Sequence, residues 1–175
     1  MSSDQSRIIE SLVEFLAHAL ELEEASVEHY EELADSMEIH NNPQVAELFR
    51  RMAGFSQEHA NQVRVRAEGL ELPEISPWEF KWTCPGSPES SCMEEAHYLM
   101  NTAQALQIAL FNEIRGRDFY LQVAETSPDA TCAGRPRRWL RRRLGTVKML
   151  EEWLQEVEVE VETPLEDLDP PNSPE

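Results

Sequence analysis

Apolar residues recur at the three- and four-residue interval of an amphipathic helix through most of the chain. From Arg7 to Met37 they fall at Ile8, Leu12, Phe15, Leu16, Ala19, Leu20, Val27, Leu33 and Ala34. Asn41-Asn42-Pro43 interrupts the pattern, with Asn42 suited to an N-cap and Pro43 to the first helical position. A second helix follows through Leu48, Met52, Phe55, His59 and Val63, with Gly69 as its C-terminal stop. Ser91-Cys92-Met93-Glu94 has the form of a capping box, which starts a third helix through Leu99, Ala103, Leu106, Leu110, Ile114 and Tyr120. Ser127-Pro128-Asp129 ends it. A fourth helix is expected from about Arg137 to Val161, with Trp139, Leu140, Leu144, Val147, Leu150 and Leu154 on its apolar side. No stretch alternates with period two for long enough to make a sheet.

Residues 70–91 carry Pro73, Pro77, Pro85 and Pro88 and the Trp78-Glu-Phe-Lys-Trp82 cluster. A connection this long joins distant helix ends or carries function, and its aromatics predict packing on the helices. The pattern predicts an all-α four-helix bundle of two antiparallel helix hairpins joined by a long crossover. Residues 1–163 form the domain, and the acidic, proline-rich 164–175 are expected to be a disordered tail.

The 175 residues suit a single domain, and 34 Asp and Glu against 15 Lys and Arg give a net charge of −19. That field repels phosphate backbones, so nucleic acid is not an expected partner. No apolar run approaches the roughly 18 residues of a membrane span. The polar Met-Ser-Ser-Asp start does not resemble a signal peptide. Cys84, Cys92 and Cys132 form no C-x-x-C, which argues against a zinc ribbon or an iron knot and points to a reducing, cytoplasmic setting.

The two hairpins repeat one another. Ala19-Leu20-x-x-Glu23-x6-Tyr30 matches Ala109-Leu110-x-x-Glu113-x6-Tyr120. Seven residues are two helical turns, so each Glu shares a face with its Tyr, and that face is the apolar one. A carboxylate aimed into a core is costly unless a cation or a proton partner meets it. In an antiparallel hairpin turning at position 41, Glu23 and His59 lie at equal height. Glu23, His59 and Glu113 are therefore the candidate metal ligands, and Tyr30 and Tyr120 are expected to orient the carboxylates. His18, His29, His40 and His97 lack ligand spacing and are expected on the surface or behind the ligands.

Ala19-Leu-Glu-Leu-Glu23-Glu-Ala-Ser-Val-Glu-His-Tyr30-Glu-Glu-Leu-Ala34 resembles the first helix of the rubrerythrins of the ferritin-like superfamily, and Ala109–Tyr120 resembles their third. The resemblance implies a ferritin-like bundle with two non-haem irons and peroxide- or oxygen-dependent oxidoreductase or ferroxidase chemistry. It also implies self-association as a homodimer. With no rubredoxin module, electrons would have to come from an external donor. The chain departs from that pattern in two places. Helix two offers Ser56-x-x-His59 in place of Glu-x-x-His, and helix four offers Arg143 and Thr146, or Val147 and Leu150, at the required height. The alternative is a metal-free scaffold or partner-binding protein without catalysis.

From Ala130 to Leu150 there is no Asp or Glu, and six Arg fall between Arg135 and Arg143. A basic patch for an anionic partner is one reading of this stretch, and internal neutralisation of the acidic bundle is another. A third is translation outside the ancestral frame. Codons for Leu140–Thr146 can be chosen that, two bases later, read Ala-Glu-Glu-Ala-Gly-His and restore a Glu-x-x-His.

Overall fold

The computed structural model describes residues 8–76, 79–80, 99–129 and 136–162. Among them are four helices and no strand: α1 Leu12–Ile39, α2 Pro43–Ala67, α3 Thr102–Thr126 and α4 Pro136–Glu162. α1 packs along α2 and α3 along α4, which are the two hairpins.

Local chemistry sets the helix ends. Ser11 caps α1, its hydroxyl accepting from the Glu14 amide at 3.2 Å. Asn41 takes a positive φ of 57° in the tight turn before Pro43, and Gly69 takes 78° after α2. Asn42 occupies the N-cap of α2, but its side chain makes no cap bond there. Its amide donates instead to the Met100 carbonyl at 2.8 Å. That bond places the start of α3 beside the first hairpin turn. The crossover therefore returns to the end where α2 began, so α2 and α3 run parallel, as do α1 and α4.

α3 starts later than the sequence pattern implies. Asn101 and Gln104 make a reciprocal capping box, so the helix begins at Thr102. Leu99, expected inside, is 72% exposed. Ser91–Glu94, the Trp78 and Trp82 aromatics, the three cysteines, His97 and the 164–175 tail lie outside the described residues.

The core has two apolar parts. Tyr30, Leu33, Met37, Phe49, Met52, Leu106 and Leu150 fill the half nearer the α1–α2 turn. Phe15, Leu16, Leu22, Val63, Phe119, Tyr120 and Trp139 fill the other. The buried Glu23, Glu113 and Arg143 make a polar layer within the bundle. No helix in the described residues is long and apolar enough to cross a membrane.

Candidate functional site

Glu23 and Glu113 are each 2% exposed, turned inward from α1 and α3 by the apolar spacing around them. The cation that meets them is Arg143 of α4, itself 1% exposed. Its Nη2 lies 3.0 Å from Glu23 Oε2 and its Nη1 3.4 Å from Glu113 Oε2. One guanidinium thus bridges both carboxylates, which is the task a planar fork of donors performs best. The Tyr120 hydroxyl donates to Glu23 Oε1 at 2.7 Å, across the two hairpins. His59 Nδ1 lies 3.6 Å from Glu23 Oε2. Tyr30 stacks against Phe49 in the half of the core nearer the α1–α2 turn.

These contacts split the two carboxyls. Burial opposes ionisation of Glu23, but Arg143, His59 and the Tyr120 hydroxyl outweigh it and hold the group at about 2. For Glu113, burial dominates: Arg143 offsets part of it, the Glu23 charge adds to it, and the pKa is raised. Burial, together with the neighbouring Glu23 charge, also raises the Tyr120 phenol well above its usual value.

Arg143 reaches this layer because α3 makes room. A β-carbon on Gly116, one turn after Glu113, would fall inside the guanidinium, 3.0 Å from Nε and closer to Cζ and Nη1. The residue as translated therefore has a seat shaped for it. Among the described basic side chains of α4, Arg143 is the one that meets both buried carboxylates. Arg137 and Arg141 are exposed and Arg142 half-buried.

A shallow cleft of about 320 Å³ between α2 and α4 reaches His59, with Phe55, Glu58, Gln62, Arg142, Thr146 and Met149 among its walls. His59 is the member of the layer with solvent contact, its side chain 16% exposed.

The residues present do not fit a pair of irons. A guanidinium has no lone pair to donate and keeps its charge at any relevant pH, so it repels a cation placed between the carboxylates. Ser56 is buried where a bridging carboxylate is required. Among the described residues no three carboxylate, imidazole or thiol side chains are placed to hold a metal ion.

His18 and His29 are 1% and 6% exposed, which excludes the surface and leaves the interior of the two places expected for them. His18 bonds the Glu14 carbonyl through Nδ1 at 2.9 Å and packs between Phe80 and Phe119. His29 follows Ser26 and precedes Leu33 on a second buried stripe of α1. The sequence places Arg143 at this height and allows internal neutralisation, and the inward row Trp139, Arg143, Val147, Leu150 is the signal that singles out this arginine.

The sequence model of the rubrerythrin family matches residues 14–102. A crystal structure of an uncharacterized conserved protein from Magnetospirillum magnetotacticum is 38% identical, with a TM-score of 0.66. The match covers 83% of this chain and 95% of that one. No curated protein matches.

Proposed function

The chain belongs to the rubrerythrin family, and from that premise we propose that it is a metal-independent member, a helical scaffold for a partner and not a peroxide- or oxygen-reducing enzyme. One observation carries this reading: the Arg143 guanidinium lies between Glu23 and Glu113, where the family's chemistry needs metal. A cation built into the chain supplies the charge that the carboxylates require. It cannot exchange electrons or open a coordination position. The iron-dependent oxidoreductase reading rests on family membership and on Glu23, His59 and Glu113 sharing one layer. It requires Arg143 to leave a fitted, buried seat, which strands a charge in the core. Three cysteines with no C-x-x-C spacing support a cytoplasmic setting for the scaffold.

Anaerobic loading with ferrous iron, followed by desalting and metal analysis, tests the proposal. Far less than one iron per chain is expected, with no consumption of peroxide and a melting temperature unmoved by chelator. Close to two irons per chain with peroxide turnover would overturn it.

A further inference from the structure

The cleft beside His59 lies between two antiparallel helices in a fixed register. The Arg51 guanidinium sits 4.4 Å over the Trp153 ring and the Arg66 guanidinium 5.2 Å over the Trp139 ring, which pins α2 against α4 on both sides of the cleft. In that register Phe55 stands level with Met149 and, two turns further along α2, Gln62 stands level with Arg142. All four line the cleft. Two turns are about 10 Å, so an apolar end and a polar end are separated by the length of a small organic molecule. Between them Gly145 has nothing within 4 Å of where a β-carbon would stand, which leaves an occupant room to reach from one end to the other.

The polar end is unsatisfied on both walls. Arg142 is half-buried, and its guanidinium has no ion-pair or hydrogen-bond partner among the described residues. Opposite it, Gln62 donates through Nε2 to Glu58 Oε1 at 3.2 Å, which fixes the way its amide points. The Gln62 Oε1 is buried and accepts no hydrogen bond from the described residues. The α4 wall thus offers a cation in need of an anion. The α2 wall offers a buried acceptor and a carboxylate in need of an N–H donor. A simple anion would meet the Glu58 charge and the field of a chain carrying −19. A molecule that carries both charges close together, with no net charge, satisfies both walls.

We infer that this cleft binds a free α-amino acid with an apolar side chain. Its carboxylate pairs with Arg142, its ammonium donates to Gln62 Oε1 and Glu58, and its side chain runs towards Phe55 and Met149. The site goes beyond the scaffold reading and does not depend on it. It needs no metal and draws on no group of the Glu23–Arg143–Glu113 layer, so iron uptake and amino-acid binding are decided by separate measurements.

Titration of the isotope-labelled full chain with L-leucine at neutral pH, followed by amide chemical shifts, tests the site. Saturable shifts centred on the cleft are expected, with a Kd no weaker than ~1 mM. L-Leucinamide lacks the carboxylate, N-acetyl-L-leucine lacks the ammonium and glycine lacks the apolar side chain. Each should bind at least about tenfold more weakly, the loss that goes with one charge-assisted contact or one buried aliphatic group. General electrostatics predicts the opposite for leucinamide, whose positive charge the acidic chain attracts. Arg142→Gln should weaken leucine about tenfold and erase its advantage over leucinamide. Gly145→Leu, free of any clash at its β-carbon, should occupy the cleft and abolish binding. No saturable shift up to ~10 mM leucine, leucinamide binding as tightly as leucine, or an Arg142→Gln variant that still prefers leucine overturns the proposal.

Discussion

Gly116 and Arg143 form a fitted pair, the missing side chain on α3 leaving the space that the guanidinium of α4 fills. Their coupling should be measurable. Gly116→Ala drives a methyl group into the guanidinium and forces it away from Glu23 and Glu113, at an expected cost of about 3 kcal/mol. Gly54, in α2 with nothing within 4 Å of its would-be β-carbon, is the control. Gly54→Ala should gain about 0.5–1 kcal/mol by stiffening the helix. Urea unfolding of both variants checks this, and in Gly116→Ala/Arg143→Met the two losses should fall well short of additive.

Arg143→Met leaves Glu23 and Glu113 buried without their cation. A loss of about 3–5 kcal/mol at neutral pH is expected, the usual result of stranding a buried charge. The empty seat faces two carboxylates and, through Glu23, the His59 ring. Zinc should therefore raise the melting temperature of this variant, and chelator should reverse the gain, while neither moves the wild type. Thermal unfolding with and without each reagent gives the answer. A variant indifferent to zinc would show that these side chains hold no metal even when the guanidinium is gone.

Much of this arrangement is legible in the residues. The Asn-Asn-Pro turn, the Glu-x6-Tyr repeat and the equal heights of Glu23 and His59 follow from helical spacing alone, and the structure brings Glu23, His59, Glu113 and Tyr120 together while Tyr30 stacks on Phe49 nearer the turn. Two kinds of feature were hidden. α3 begins at Asn101–Gln104 and not at Ser91–Glu94: the two satisfy nearly the same local rule, and only the Asn42 bond to Met100 shows which end of the bundle α3 must reach. The identity of the buried cation was hidden by residue type. The row and height of Arg143 are legible, but whether a guanidinium fits there depends on Gly116 opposite, and that pairing joins two helices with no shared local signal.

The two inward carboxylates should respond oppositely to removal of charge. Glu23 is held at about 2 against an ordinary 4.5, so the folded state binds its proton more weakly than the unfolded state does. Its stabilisation is complete above the ordinary value and is lost as pH falls from about 4.5 towards 2. At 1.36 kcal/mol per unit it is on the order of 3 kcal/mol. Glu113 has a raised pKa, so its stabilisation belongs to the protonated form and fades as pH rises through that higher value. Glu23→Gln should destabilise the protein at pH 7 and flatten the acid limb of its stability curve. Glu113→Gln should be neutral or stabilising at pH 7. Equilibrium unfolding of both variants between pH 3 and pH 8 tests this asymmetry, and equal losses in the two variants would contradict it.

His29 should make the bundle sensitive to mild acid. Its Nε2 is buried with no hydrogen-bond partner, and burial lowers its pKa from the ordinary 6.5. A lowered histidine pKa means that the unfolded chain takes up the proton first, so stability falls as pH drops below about 6.5 and continues to fall until the folded-state value is passed. The Glu23 effect begins only below about 4.5, so the two are separable. His29→Leu, close in volume and unable to bind a proton, should remove the dependence between pH 6.5 and 5 and leave the steeper loss at lower pH intact. Thermal melts of wild type and variant at half-unit intervals across that range would show it. An unchanged slope in His29→Leu would assign the mild-acid response to another group.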